Sequence, residues 1–203
     1  MSSKRRAVMC VTRGEIAFLF FVGVCVAIHP GFVLKRNEGG MSNYGLHIKT
    51  AVPYTIALAL LALYSLRAAL LYSDGDTRTR RLRRLLLAYS AVVLSVMLST
   101  YVYSLNLVLK DLHFALGTAL IVLVGVGSLW MYRQWPPSMG IRVLLLFQLC
   151  GDLLALLSAT GTVRALFVAE ILSNVGFAAL LIRTGRRIAA EDPRATSSYE
   201  RSP

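Results

Sequence analysis

The sequence predicts an all-α membrane protein: a bundle of six transmembrane helices with both termini in the cytoplasm. Of its 203 residues 56% are hydrophobic and 16% are charged, whereas roughly 25% of residues are charged in a soluble domain. Six apolar segments each approach the roughly 20 residues that cross the hydrocarbon core of a bilayer. Lys and Arg fall mainly in the short stretches between these segments. Lipid around the apolar faces removes the need for a polar surface.

The six predicted spans share an apolar composition and are separated by short connections. They cover about residues 16–34, 51–72, 85–105, 113–132, 141–159 and 165–184. The first span follows a basic N-terminus, as in a signal peptide, but it exceeds the usual apolar region and no A-x-A site follows. We interpret it as a retained helix. Residues 1–187 then form one bundle, and we expect the polar tail over 188–203 to be disordered.

The distribution of basic residues predicts the orientation. With the N-terminus inside, 17 of the 22 Lys and Arg residues face the cytoplasm. The positive-inside rule therefore favours this orientation, and an even number of helices returns the C-terminus to the same side. The membrane is then a plasma membrane or a bacterial inner membrane. A net charge of +12 is also typical of proteins that bind nucleic acid. Here the basic residues lie between membrane spans, so we expect no nucleic-acid partner.

The segment Ser73–Arg84 (SDGDTRTRRLRR) is the most basic connection. One interpretation is a contact for anionic lipid headgroups, with about 1 kcal/mol from each basic residue near the surface. The other is a topology signal with no further role. The sequence leaves both open.

Ionisable residues inside a membrane span are costly, so each is a candidate functional residue. Asp152 lies in the fifth span with Gln148 one turn before it. Glu170 lies in the sixth span, followed by Ser173 and Asn174 at the spacing of one helix face. A short turn joins these spans, so the two faces can meet. They would form a polar site for a proton, an ion or a lipid headgroup, or hydrogen bonds that fix helix packing.

Three histidines form a second candidate set on the outer side of the bundle: His29, His47 and His113. Asp111 precedes His113 at the start of the fourth span, where it would act as an N-cap. A zinc site formed by these four residues is one interpretation. No His-x-x-x-His or His-Glu-x-x-His spacing is present, and a polar outer vestibule is the favoured interpretation. No phosphate-loop, dinucleotide or serine-hydrolase motif occurs, so we predict no catalytic residue, metal or cofactor.

Two short motifs resemble a known group. The loop after the first span reads Met-Ser-Asn-Tyr-Gly over 41–45, and His113 opens the fourth span in the run LHFALGTALIV. This resembles the DRAM-like group of six-span membrane proteins and related uncharacterised bacterial six-span families. The resemblance implies a six-helix bundle, with Ser42, Tyr44, Gly45 and His113 as the motif positions. It implies no settled activity, and members are loosely linked to membrane or lipid homeostasis.

The predicted function is that of a non-enzymatic membrane component that binds membrane lipids, another membrane protein or a second copy of itself. Binding would use the outer vestibule and the groove between the fifth and sixth helices. One alternative is a small proton-coupled transporter or channel that uses Asp152 or Glu170. The other is an intramembrane metal-dependent hydrolase that uses the outer histidines.

Overall fold

The computed structural model describes residues 2–34, 40–72, 76–134 and 138–191. All regular secondary structure in these ranges is helical. The eight helices are α1 (Ser3–Ile28), α2 (Gly31–Leu34), α3 (Ser42–Leu46), α4 (Ala51–Leu71), α5 (Thr77–Thr100), α6 (Leu107–Arg133), α7 (Met139–Ala159) and α8 (Leu166–Ala190).

Within the described residues, six helices are long and apolar enough to cross a bilayer: α1, α4, α5, α6, α7 and α8. Every backbone polar group inside a bilayer must be satisfied internally, and a helix achieves this alone. The chain is therefore a multi-pass membrane protein, and the predicted all-α bundle of six spans is confirmed. Which end of the bundle faces the cytoplasm stays a prediction.

The helices extend further into polar sequence than the predicted spans do. Helix α1 begins at Ser3 instead of residue 16, and α5 begins at Thr77 instead of residue 85. The predicted loop Ser73–Arg84 is thus helical from Thr77 onward. Hydropathy marks only the part of a helix that lipid surrounds, whereas Lys and Arg are good helix formers outside it. The predicted starts were therefore too late.

Side-chain caps fix these early helix starts. The Ser2 hydroxyl accepts the backbone N–H of Arg5 at 3.4 Å. The Asp76 carboxylate accepts both the backbone N–H of Thr79, at 3.0 Å, and the Thr79 hydroxyl, at 2.7 Å. These bonds lower the pKa of Asp76 below its ordinary value. Each cap satisfies an N–H group that has no partner within its helix.

The other bounds also shift. Helix α1 ends at Ile28 and α5 at Thr100, both earlier than predicted, while α6 starts earlier, at Leu107. Helix α8 continues through Ala190, so residues 188–190 belong to the bundle and not to a disordered tail. The rest of the predicted tail, residues 192–203, lies outside the described residues.

The long helices close into one bundle. Helix α1 packs against α4 and α8, α4 against α5, and α7 against α8, while α6 contacts α5, α7 and α8. Helices α1 and α4 both carry fully buried small residues, including Ala7, Ala57 and Ala62, and a Cβ atom added at Gly14 of α1 would lie 2.9 Å from the Tyr64 Cβ atom of α4. Small side chains let membrane helices approach closely. Helix α6 is the least buried of the six long helices, so the largest share of its surface faces away from the bundle.

An ion pair and a hydrogen bond connect the basic helix ends at one end of the bundle. Arg78 near the start of α5 forms an ion pair with Glu191 after α8, with 3.6 Å between Nη1 and Oε2. Arg183 in α8 donates to the Ser138 hydroxyl, before α7, at 2.8 Å. The Arg-rich start of α5 and the end of α8 therefore share one side, as the positive-inside interpretation requires.

Candidate functional site

The Asp152 carboxylate is the centre of a buried polar cluster between α7 and α8. The Ser173 hydroxyl donates to its Oδ1 at 2.5 Å. The Gln148 amide donates to Oδ1 and Oδ2 at 3.1 and 3.0 Å, and to Ser173 Oγ at 3.3 Å. The sequence placed Ser173 on the Glu170 face, whereas the structure joins it to Asp152. The cluster ties the two helices together, as interhelical hydrogen bonds do in membrane proteins.

Two glycines allow this close contact. A Cβ atom added at Gly151 would lie 2.5 Å from the backbone nitrogen of Ser173. One added at Gly176 would lie 2.9 Å from the Cα atom of Gln148. Only a residue without a side chain permits backbones to approach in this way. The glycines therefore set the distance across which Ser173 reaches Asp152.

The Glu170 carboxylate belongs to a different group. Its Oε2 accepts the backbone N–H of Met41 at 2.7 Å. It also packs against Gly40, whose φ of 56° is in the left-handed region that favours glycine. Glu170 thus holds the turn before α3 onto α8. The two predicted faces thus meet through the Ser173–Asp152 bond, while the Asp152 and Glu170 carboxyls bond separate partners.

Asn174 links the bundle in a third direction. Its amide donates to Glu15 Oε2 at 2.8 Å, and its Oδ1 accepts the Tyr89 hydroxyl at 2.7 Å. Glu15 is only 6% exposed. Sequence reasoning missed it because it lies one residue before the predicted first span. Its signal was its place inside a longer helix that starts at Ser3, which hydropathy alone does not reveal.

His113 joins three elements at the end of the bundle opposite the Arg-rich helix ends, which the predicted orientation makes the outer end. Its Nδ1 lies 2.7 Å from the Ser99 hydroxyl of α5, and its Nε2 lies 3.0 Å from the Ser42 hydroxyl of α3. The ring stacks on Tyr103 with 4.7 Å between centroids. Both ring nitrogens have partners, and the side chain is buried. His113 is therefore held rigidly.

The other two histidines pair with each other. The rings of His29 and His47 are 4.6 Å apart between centroids, and His29 stacks on Phe32 at 4.1 Å. Asp111 is an exposed residue inside α6, and its expected N-cap role is wrong because Asn106 accepts the N–H of Leu109. Among the described residues, no group of three or more His, Cys, Asp or Glu side chains is placed to hold a metal ion.

A cavity of about 120 Å³ lies in the outer half of the bundle. All six long helices and the turn before α3 contribute to its wall. Most of the wall is apolar, and its principal polar side chains are Ser42, Tyr54, Tyr89, His113, Glu170 and Asn174. Several hydrogen-bonded groups thus contribute to one cavity wall, whereas Asp152 is not among its lining residues. A volume of this size holds several water molecules or a small polar head.

The wall of the cavity includes exposed residues of α6 and α7. Phe114 and Thr118 on α6 and Ala159 on α7 line it and are also exposed on the outside of the bundle. Exposed surface on a membrane span faces lipid. The cavity wall therefore reaches the lipid-facing surface at α6 and α7.

Helix α3 packs beside the outer end of this cavity. Tyr44 is 1% exposed, its hydroxyl donates to the His29 carbonyl at 3.3 Å, and burial raises its pKa to about 12. A Cβ atom at Gly45 would lie 2.6 Å from the Tyr54 ring. Both motif positions are therefore fixed by packing, and Ser42 points its hydroxyl at His113.

The fold and the site define a multi-pass membrane protein with a partly enclosed polar and apolar cavity. No family model, no curated protein and no solved structure matches the chain. Its function is therefore argued from the cavity itself.

Proposed function

We propose that the protein binds an amphiphilic membrane lipid in the cavity, with the polar part of the lipid at His113 and Glu170 and the chain directed outward between α6 and α7. The protein would lie in a plasma membrane or a bacterial inner membrane with its Arg-rich end in the cytoplasm. One observation carries the proposal. The cavity combines buried polar groups with an apolar wall that includes exposed, lipid-facing residues of α6 and α7.

The composition of the wall favours a lipid over a water-soluble solute. Ligand sites are mostly apolar with a few placed polar groups that orient the ligand. Here the polar groups include one carboxyl, one imidazole and several hydroxyls. Such a set recognises hydroxyl, amide or ester groups by hydrogen bonds. The cavity is too small for a whole lipid, so the chain would extend past Thr118 and Ala159, the exposed lining residues of α6 and α7.

A pair of glycines gives a matched test. Gly117 lines the cavity, and a Cβ atom there would meet no heavy atom within 4 Å. Gly23 on α1 is equally open but exposed on the outside of the bundle. The Cβ atom of Gly117→Leu therefore has room, and the rest of the side chain is expected to occupy the cavity, whereas Gly23→Leu adds the same side chain on the outside of the bundle.

The readout is native mass spectrometry of purified protein after detergent washing. We expect wild type and Gly23→Leu to retain a lipid-sized adduct and Gly117→Leu to lose it. Wild type without any adduct, or equal adducts on all three proteins, would refute the proposal. The exposed apolar faces bind annular lipid equally in all three, so the comparison isolates the cavity.

A proton-coupled transporter is the second candidate, and one observation favours it. Asn174 and Tyr89 line the cavity, and Asn174 bonds the deeper carboxyl of Glu15. A buried carboxyl therefore lies one hydrogen bond from the cavity wall. Ionisable groups inside membranes commonly form proton relays.

This candidate predicts proton flux in proteoliposomes that contain a pH-sensitive dye. Glu15→Gln and Glu170→Gln should abolish the flux. Asp152→Asn is the control, because Asp152 bonds only within its own cluster and should leave the flux intact. Absence of flux from wild type under an imposed gradient would exclude the candidate.

The metal-dependent hydrolase gains no support from the described residues. A catalytic metal site requires at least three ligands near one another. The His29 and His47 rings contact each other, whereas His113 hydrogen-bonds Ser42 and Ser99.

A further inference from the structure

Ser42, His113 and Ser99 form a hydrogen-bonded row at the cavity. Ser42 begins α3, His113 lies in α6, and Ser99 lies near the end of α5. The distances are 3.0 Å from Ser42 Oγ to His113 Nε2 and 2.7 Å from His113 Nδ1 to Ser99 Oγ. All three side chains are buried. A hydroxyl, a base and a group that orients the base are the parts of an activated serine nucleophile.

The hydroxyl hydrogens can be assigned along this row. Ser99 Oγ lies 2.9 Å from the Val96 carbonyl, to which it donates. Its oxygen is then free to accept from His113, which places the imidazole proton on Nδ1. Neutral histidine has one donor and one acceptor nitrogen, so Nε2 carries the lone pair. The Ser42 hydroxyl, which also has Tyr54 as a hydrogen-bond partner, can donate to that lone pair. This is the arrangement that removes a proton from an attacking serine.

Two features of the site fit this role. Ser42 and His113 both line the cavity, so a bound molecule can reach the hydroxyl. The ring of His113 is stacked on Tyr103, which fixes its plane. Glu170 is bonded to the Met41 N–H, so the group that orients His113 is the Ser99 hydroxyl and not a carboxylate.

We propose that Ser42 is a nucleophile, activated by His113 and aimed at the acyl ester of a membrane lipid. The inference rests on the proposed lipid site, since the ester must enter between α6 and α7. It departs from the sequence-based expectation of a non-enzymatic protein. Ser99 is a positioning residue that holds the His113 tautomer.

The chemistry balances with lipid ester and water. Ser42 Oγ attacks the carbonyl carbon, and His113 Nε2 takes the hydroxyl proton. The tetrahedral intermediate expels the alcohol of the lipid, which receives that proton from His113, and an acyl group stays on Ser42. Water then attacks the acyl carbon, gives its proton to His113, and releases a carboxylic acid as the proton returns to Ser42 Oγ.

The test uses the full chain in lipid nanodiscs with an alkyl fluorophosphonate. This probe places an electrophilic phosphorus where the ester carbon would be, and fluoride leaves when a serine attacks. Intact-mass measurement and peptide mapping should find one adduct, on Ser42. Ser42→Ala should abolish the adduct. Ser90→Ala, at a buried serine bonded to the Ala62 carbonyl, should keep it.

Variants of the histidine separate chemistry from packing. His113→Gln can hydrogen-bond both serines but cannot serve as the base, so we expect labelling to slow by about 100-fold or more in a folded protein. Ser99→Ala should slow it less, and Ser99→Thr, which keeps the hydroxyl, should restore it. No adduct on wild type, an adduct on another serine, or normal labelling of His113→Gln would overturn the proposal.

The lipid adduct in native mass spectrometry keeps the two proposals distinguishable. If Ser42 is inert while wild type and Ser42→Ala both retain lipid, the nucleophile is wrong and the lipid site stands. If Ser42 reacts but Gly117→Leu reacts equally fast and no lipid is retained, the lipid site is wrong. The proposed substrate is then wrong as well.

Discussion

Replacing Gly151 by Ala tests how strictly the α7–α8 contact depends on a missing side chain. The new Cβ atom would lie 2.5 Å from the Ser173 nitrogen and 2.9 Å from its Cα atom. Both are backbone atoms, so no rotamer change relieves the overlap and the helices must separate. Overpacking costs about 1–3 kcal/mol. Weakening of the Asp152–Ser173 bond adds about 0.6–1.7 kcal/mol.

Helix propensity opposes this cost, since Ala is favoured over Gly by about 1 kcal/mol within a helix. We therefore expect Gly151→Ala to destabilise the protein by about 1–3 kcal/mol, dominated by the overlap. The assay is equilibrium unfolding in mixed micelles of mild detergent and dodecyl sulfate. Gly23→Ala is the control, because its Cβ meets nothing within 4 Å and should leave the protein as stable or more so.

Equal free energies of unfolding for Gly151→Ala and Gly23→Ala would contradict this prediction. That result would show that α7 and α8 are not held at the distance in the structure. A loss of stability in both variants would point to the spans themselves and not to this contact.

Two further predictions concern buried and capping carboxyls. Asp76→Ala should cost about 1 kcal/mol through loss of the α5 cap. The Thr79 bonds lower the pKa of Asp76 in the folded protein. The contribution of the cap to stability is therefore present above the unfolded-state pKa of about 4 and is lost as the pH falls through the folded-state pKa. The acid unfolding curves of wild type and variant should converge. Glu15→Ala should lower the free energy of unfolding by about 0.6–1.7 kcal/mol, because it leaves the Asn174 amide unpaired. Glu15→Gln keeps an acceptor and should cost less. Equal losses of stability in thermal unfolding of the two variants would contradict this.

The spans could be predicted from the sequence because hydropathy is a local property. Each of the six apolar segments needs no partner to be recognised. The helix ends were predicted less well, since Thr77–Arg84 is polar and still helical through its Asp76 cap. A cap and helix propensity act outside lipid, where hydropathy gives no signal.

The partners of buried polar groups could not be predicted. Glu170, Ser173 and Asn174 follow one another along one helix, yet they bond Met41, Asp152 and Glu15 respectively. Periodicity places side chains on a face, but the neighbours of that face depend on how six helices arrange around one another. His113 was identified as a candidate by its type and position. Its bonds to Ser42 and Ser99 required the packing of α3 and α5 against α6.

A cryo-electron microscopy map of the protein in lipid nanodiscs would test the lipid site most directly. The account predicts elongated non-protein density that enters between Thr118 and Ala159 and ends beside His113 and Glu170. A continuous water-filled route from one face of the bundle to the other would contradict it, and so would a cavity closed by α6 packing onto α7.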